Sequence, residues 1–191
     1  MDERQALLAD LASGDEARAE AAVKKLPSLG PGVLTGLREL LSSNDSEARW
    51  WAARALAELD LPETPALLVQ ALHDPDPGVR QCAALALRHQ TSPQAVPDLI
   101  AMLSSEDRLL ALLVADALVA VGKDAVAALL EIMQNGSSAA RLEAARALAL
   151  IGEPSSIPAL FEALDDRSAL VTYWAEEGLS RMGVGMAFFK P

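Results

Sequence analysis

The sequence predicts an all-α protein in which about six copies of a two-helix unit are stacked along the chain. Ala (37) and Leu (33) together supply 70 of the 191 residues, and both favour helices. Aromatic residues make up only 4% of the chain, and β-branched residues are also scarce, which argues against a β-rich fold. One pattern recurs at intervals of about 31 residues over nearly the whole sequence, as expected for a repeat protein.

The recurring pattern forms the second helix of each unit. Its clearest copy, VRQCAALALR, begins at Val79, and related copies begin one interval earlier at Ala48 and one interval later at Leu110. The other copies begin at Ala17, Ala140 and Val171. This spacing predicts one domain over residues 1–183, divided into repeats 1–30, 31–60, 61–91, 92–122, 123–152 and 153–183.

A first helix precedes each second helix within the unit. Pro65, Pro97 and Pro158 stand at the start of apolar segments, and proline suits the first helical turn because its missing N–H would have no partner there. A polar turn rich in Asp, Asn and Ser then leads into the second helix. We expect the second helices to end near Gly30, Asp60, Gly122, Gly152 and Gly183, most of which are typical C-cap glycines.

The second-helix motif, apolar-Arg-x-x-Ala-Ala-x-Ala-Leu, together with the proline-led first helix resembles the HEAT-repeat family. It is similar in particular to the short HEAT-like repeats of phycobilisome (bilin) lyases, over roughly residues 3–183. The family's arginine is kept at Arg18, Arg49, Arg80 and Arg141 and is replaced at Ala111 and Thr172. The resemblance implies an α-solenoid coiled as a right-handed superhelix. We expect the arginines to bond turn carbonyls or carboxylates of neighbouring repeats.

Helical geometry divides each second helix into a packed stripe and an outward stripe. Successive residues rotate by about 100°, so in the third repeat Val79 and Ala83 face the neighbouring helices. Cys82, Leu85 and His89 point the other way. The resemblance implies that these outward positions line the concave face of the solenoid.

We expect the outward positions to bind a partner, because all three tryptophans and the only tyrosine fall on them. Exposed apolar surface marks interaction sites, and Trp and Tyr are frequent hot-spot residues. The expected apolar contacts are Trp50, Trp51, Leu85, Leu112, Leu113, Leu142, Tyr173 and Trp174. The expected polar contacts are Arg54, Glu58, His89, Asp116, Arg146, Glu177 and Arg181. The alternative is that the aromatic residues only fill gaps between repeats.

The sequence predicts no catalytic residue, metal site or cofactor. The two histidines are His73 and His89. His89 shares a helix face with Cys82, but two ligands are too few for structural zinc. Seven residues along a helix span about 10 Å, which is beyond hydrogen-bond reach. The His-Glu pairs of the HEAT-repeat deoxyhypusine hydroxylases and the glycine-rich phosphate loops are absent.

Charge and hydropathy narrow the expected partners and location. The net charge of -11 disfavours nucleic acid, whose phosphates need clustered Lys and Arg. No apolar run reaches the roughly 18 residues that span a bilayer, and the charged start is unlike a signal peptide. A single cysteine, Cys82, suits a reducing compartment. We therefore expect a soluble, cytoplasmic protein with no membrane or nucleic-acid partner.

Two functions follow from these observations. The first is a non-enzymatic scaffold that binds a protein or peptide in the concave groove. The alternative, which the resemblance favours, is a bilin-lyase-like or tetrapyrrole-binding protein that uses the same groove. The apolar tail of residues 184–191, with Met186, Phe188 and Phe189, is expected to fold over the last repeat of a monomer. The other interpretation is that it docks into another protein or forms a dimer.

Overall fold

A computed structural model describes residues 2–184, and it contains twelve α-helices and four short 3-10 segments in that range. The helices are α1 (Glu3–Leu11), α2 (Glu16–Lys25), α3 (Leu34–Leu41), α4 (Ser46–Leu56), α5 (Thr64–Ala71), α6 (Pro77–Leu87), α7 (Val96–Met102), α8 (Arg108–Val121), α9 (Lys123–Asn135), α10 (Ser138–Ile151), α11 (Ile157–Glu162) and α12 (Ala169–Arg181). The described range has no strand. The tail contacts predicted for Met186, Phe188 and Phe189 lie outside the described residues.

The twelve helices form six consecutive pairs, which confirms the predicted all-α repeat architecture. In each pair, the odd-numbered first helix packs on the even-numbered second helix. The extent of the domain over 1–183 and the repeat boundaries stay predictions.

The chain divides into two compact units, Met1–Thr91 and Ser92–Pro191. In the first unit, the second helices α2, α4 and α6 lie side by side, and α1 packs beside α3. In the second unit, α8, α10 and α12 lie side by side, and α7 packs beside α9. Each unit therefore has a layer of first helices and a layer of second helices, and its core lies between the two layers.

Most helix ends follow the expected chemistry, but α2 ends at Lys25, ahead of the expected Gly30, and a 3-10 segment follows it. The carboxylates of Asp15, Asp76 and Asp107 accept hydrogen bonds from backbone N–H groups in the first turns of α2, α6 and α8 at 3.0–3.1 Å. These side chains satisfy donors that have no partner within the helix. At the other end, Gly122 and Gly152 follow α8 and α10 with φ of 75° and 67°. Glycine suits these positions because side chains rarely tolerate a positive φ.

The family arginines link the turns, as expected. The Arg49 guanidinium donates to both carboxylate oxygens of Asp74, in the next repeat, at 2.7 and 2.9 Å and to the Ser43 carbonyl at 2.9 Å. Arg141 binds Asp166 in the same way, at 3.1 and 3.4 Å. The expectation that the arginine reaches a neighbouring repeat is thus confirmed for these two residues.

Two other positions differ because Ser43 and Ser105 stand where the partner aspartates of Arg18 and Arg80 would lie. Arg80 donates instead to the carbonyls of residues 74 and 75 in its own repeat, at 2.8 and 3.0 Å. Arg18 pairs with Asp10, also within its own repeat. Where threonine replaces the arginine, the Thr172 hydroxyl donates to backbone carbonyls of its own repeat.

The Arg49–Asp74 pair is the most enclosed of these links. The side chains of Arg49 and Asp74 are only 11% and 8% exposed. Burial acts to raise the pKa of Asp74, but the hydrogen bonds from Arg49 and from the Asp76 N–H outweigh it, so the pKa lies below its ordinary value. The ionised carboxylate is therefore the form that the folded chain stabilises.

We predict that Asp74→Asn lowers the free energy of unfolding at pH 7 by about 3 kcal/mol, because it leaves a buried guanidinium without its counter-charge. A folded-state pKa below the unfolded value contributes stability that is complete above about pH 4 and is lost as the pH falls through the folded pKa. The difference between wild type and variant should therefore shrink at pH 3. Urea unfolding at both pH values measures it.

The control for this experiment is Asp124→Asn, which neutralises an exposed carboxylate in the first turn of α9. It should change stability by less than about 1 kcal/mol. An Asp74→Asn loss that stays the same at pH 3 would contradict the ion-pair explanation.

Candidate functional site

The outward stripes of the second helices form one face on each unit. We call the stripe on α2, α4 and α6 the first face and the stripe on α8, α10 and α12 the second face. Equivalent positions line up across neighbouring helices. In the second face, the Arg146 Nη1 on α10 lies 2.8 Å from the Asp116 Oδ1 on α8, one repeat back at the same position.

The second face exposes large apolar side chains. Leu109 and Leu112 on α8 are 49% and 40% exposed, and Leu170 and Tyr173 on α12 are 58% and 55% exposed. Leu142 on α10 lies at the same position as Leu112 and Tyr173 and is partly buried. The face is therefore an apolar strip that runs across three adjacent helices.

Two further predicted contacts, Leu113 and Trp174, are partly buried beside this strip. The Trp174 ring meets Tyr173 edge to face, with centroids 5.4 Å apart and planes at 75°. This contact holds the tyrosine ring in a defined position. Glu177 is partly buried and Arg181 is exposed on the same helix.

Arg146, one of the expected polar contacts, forms hydrogen bonds within its own fold. Its guanidinium donates to Asp116 at 2.8 Å, to Glu143 at 2.9 Å and to the Leu112 carbonyl at 3.1 Å. Glu143, three residues before Arg146, could be inferred as a local partner, whereas Asp116 lies 30 residues away. The cluster joins α8 to α10 and gives the Arg146 guanidinium three acceptors.

The first face contains a groove of 470 Å³ between α4 and α6. Four of the predicted contacts come together there: Arg54, Glu58, Leu85 and His89 line it with Ala57, Cys82 and Ala86. The Arg54 Nη1 donates to Glu58 Oε1 at 2.5 Å. The groove therefore has an ion pair and an imidazole beside an apolar wall.

The prediction that Trp51 is exposed is wrong. Its side chain is only 7% exposed, and the Trp50 ring contacts it edge to face at 4.9 Å between centroids. Trp50 itself is partly exposed. An indole is long enough to lie over its own helix and its neighbours, so helical spacing alone does not settle its burial.

Cys82 lies in the wall of the groove as a buried thiol whose Sγ is 3.9 Å from the Trp50 carbonyl oxygen. Burial raises its pKa to about 11, against a smaller opposing effect of Arg54. At neutral pH the group is a protonated thiol and therefore a poor nucleophile. Within residues 2–184, no group of three or more His, Cys, Asp or Glu side chains could hold a metal ion.

Sequence reasoning did not include Leu109 and Leu170 in the site, although both are more exposed than Leu112. The signal was available, because the two leucines occupy the same outward position in the fourth and sixth repeats. The expected contacts, which included Leu112, Leu113 and Leu142, therefore underestimated the apolar area of the second face.

Paired helices repeated along the chain, with a packed stripe and an outward stripe on every second helix, define an α-helical repeat protein. Comparison with known proteins identifies the family. The model of the family described as HEAT repeats matches residues 4–88, 33–119, 65–133 and 96–180. The chain belongs to the HEAT-repeat family.

A curated protein and a solved structure are similar to this chain. A phycobilisome maturation protein of Synechococcus elongatus is 35% identical over 115 residues, which cover 60% of this chain and 55% of that protein. The chain thus spans about half the length of that relative. The complex of CpcE and CpcF of phycocyanin lyase from Nostoc has a similar fold, with a TM-score of 0.60 and 21% identity over 75% of this chain and 96% of that chain.

An engineered protein also shares the fold, with a TM-score of 0.57 and 25% identity over 95% of this chain and 99% of that chain.

No helix among the described residues is both long and apolar enough to cross a membrane.

We predict that Cys82 in the folded protein reacts with a thiol reagent about 100-fold more slowly at pH 8 than in the urea-unfolded chain. The reason is that a pKa of about 11 leaves little thiolate at this pH, whereas an ordinary cysteine titrates near 8.5. Ellman's reagent measures both rates. Equal rates in the two states would contradict the burial of the thiol.

Proposed function

We propose that this protein is a non-enzymatic scaffold that binds a protein or peptide partner through the outward faces of its second helices. The observation that carries the proposal is the apolar strip of the second face, where three leucines and a tyrosine are 40–58% exposed. Contiguous exposed apolar surface of this kind marks an interaction site.

The energetics of the strip support binding. Fully burying a leucine side chain is worth about 1.5–3 kcal/mol, so a partner that covers Leu109, Leu112 and Leu170 gains substantial affinity. Tyr173 is of a residue type enriched among interface hot spots, and its contact with Trp174 limits the rotamer freedom that binding must remove. The neighbouring Arg146 cluster is already paired, so a partner need not leave a lone buried charge there.

The experiment compares two strip variants, Leu112→Lys and Tyr173→Asp, with a control variant on a first helix. Leu112→Lys places an ammonium in the strip, whereas Ala127→Lys places one on an exposed position of α9, a first helix. Immobilised wild type and variants are used to capture partners from lysate of the source cells, and the captured proteins are quantified by mass spectrometry. The principal partner is then purified and titrated.

We expect Leu112→Lys, or Tyr173→Asp, to weaken binding of the purified partner at least about ten-fold, a loss of about 1.4 kcal/mol. Ala127→Lys should bind as wild type does. If both strip variants keep wild-type affinity for every captured protein while remaining folded by circular dichroism, the second face is not the binding site.

A second function is supported by the similarity to the phycobilisome maturation protein and by the groove of the first face. In this role the protein is lyase-like and holds a tetrapyrrole, such as a bilin, in the 470 Å³ groove. Leu85 would contact the pigment, and Arg54 would pair with its carboxylates at the expense of Glu58. Because Cys82 is protonated, such binding would be non-covalent on the part of this chain.

Titration with a bilin tests this function. We expect quenching of tryptophan fluorescence and a change in the bilin absorbance, both weakened at least about five-fold in affinity by Arg54→Met. Arg38→Met, which removes an exposed guanidinium from α3, is the matched control. An unchanged spectrum at saturating bilin, or equal effects of the two arginine variants, would rule the groove out as a pigment site.

A further inference from the structure

The first face differs chemically from the apolar strip of the second. It presents an aromatic residue, Trp50, among carboxylates that outnumber the cations. Glu16 and Glu20 project from α2, and Glu47 and Glu58 project from α4 and the turn that follows it. Arg54 is the cation at an outward position of these two helices, and Lys24 stands next to Glu20. Arg18 and Arg49 on the same helices are held by Asp10 and Asp74.

Lys24 and Arg54 are already engaged as well. The Lys24 Nζ lies 3.4 Å from Glu20 Oε1, and the Arg54 Nη1 lies 2.5 Å from Glu58 Oε1. Glu16 and Glu47 are exposed, and within residues 2–184 neither carboxylate forms an ion pair. Both residues also stand in the first turn of their helices, where a negative charge stabilises the helix. Because this stabilisation needs no ion pair, both exposed carboxylates remain accessible to a partner.

The placement of these two carboxylates relative to Trp50 follows from the helix spacing and the repeat register. Glu47 precedes it by three residues on α4, a spacing that brings the two Cβ atoms within about 5–6 Å. Glu16 holds the same position as Glu47 on the adjacent helix α2. The Trp50 ring meets the ring of the buried Trp51 edge to face.

Two small residues stand at positions next to Trp50, whose indole is partly exposed. On α6 the neighbour is Gly78, where a Cβ would lie 3.8 Å from Trp50 Cδ1, in van der Waals contact. On α2 the residue at the position of Trp50 is Ala19, which is buried. A partly exposed indole with carboxylates at its side attracts a cation both through its ring and through the charges.

We propose that the first face binds a basic segment of a partner protein, with one arginine or lysine side chain seated on Trp50 and paired with Glu47 and Glu16. This proposal rests on the proposed function, because it assigns partner chemistry to one of the two binding faces. Arginine fits better than lysine, since its planar guanidinium stacks on an aromatic ring and pairs with a carboxylate at the same time. The net charge of -11 adds long-range attraction for such a partner.

The test uses short peptides, so it does not depend on identifying the natural partner. A fluorescein-labelled peptide of alternating arginine and glycine is titrated with the full chain, and the same peptide with citrulline in place of arginine serves as the uncharged control. Four variants are compared: Trp50→Leu, Glu47→Gln, Glu16→Gln with Glu47→Gln, and Asp124→Asn with Glu131→Gln. The last removes two exposed carboxylates from α9 and controls for net charge.

We expect the arginine peptide to bind at least ten-fold more tightly than the citrulline peptide. Trp50→Leu should weaken it at least five-fold with little change in salt dependence. Glu16→Gln with Glu47→Gln should weaken it and flatten the dependence of affinity on salt, and Glu47→Gln alone should do so to a smaller extent. Circular dichroism and thermal unfolding of each variant establish that the helices remain formed.

Two results would overturn the proposal: equal binding of the arginine and citrulline peptides, or an equal loss of affinity in the α9 control and in the Glu16, Glu47 variant. The second result would mean that only the overall charge attracts the peptide. Leu112→Lys should leave arginine-peptide binding unchanged. The peptide experiment therefore tests binding by the first face, and the partner experiment tests binding by the apolar strip. Either proposal can be ruled out without the other.

Discussion

Close approach of neighbouring second helices is the constraint on which the rest of the structure depends. The paired alanines Ala52–Ala53 and Ala83–Ala84 are fully buried, because a larger side chain would push the helices apart. At Gly178 the approach is closer still, since a Cβ there would lie 2.9 Å from the Ala149 Cα. Each second helix thus turns its small-residue stripe towards its neighbours, and its opposite stripe is left without a partner. The faces that we propose to bind other proteins follow directly from this packing.

Polar contacts fix the turns around this packed layer. The Arg49–Asp74 and Arg141–Asp166 pairs connect a second helix to the turn of the next repeat, while the N-cap carboxylates close the helix ends. The cost of desolvating a buried ion pair offsets much of its Coulombic attraction. The main effect of such a pair is therefore to orient the elements that it joins. Orientation matters here because the outward positions of adjacent helices must stay aligned for either face to exist. The Arg146–Asp116 contact performs the same task within the second face itself.

One backbone pattern supports two chemically different faces. The second face exposes leucines and a tyrosine, whereas the first has a partly exposed tryptophan, uncompensated carboxylates and a groove beside an ion pair. Nothing in the helical repeat dictates this difference, since the outward positions that stay exposed carry little of the packing that the repeat requires. They are free to vary, which is why HEAT-repeat proteins of one fold can serve unrelated functions. Membership of the family therefore defines the architecture of this chain, and the side chains on its faces define what it can bind.

The sequence by itself determined the helix pairs, their turns and the outward positions, because these depend on local periodicity, capping and a repeat spacing that can be read along the chain. It also placed Leu85, Leu112 and Tyr173 correctly on the exposed side. The tertiary structure alone decided that Trp51 is buried, that Asp116 binds Arg146 from the neighbouring repeat, and that Cys82 is a protonated thiol in a groove wall. For Asp116 and Cys82 the outcome depends on atoms of an adjacent helix in the neighbouring repeat. Helical spacing assigns a direction to a side chain, but only the neighbouring helix determines what that side chain meets.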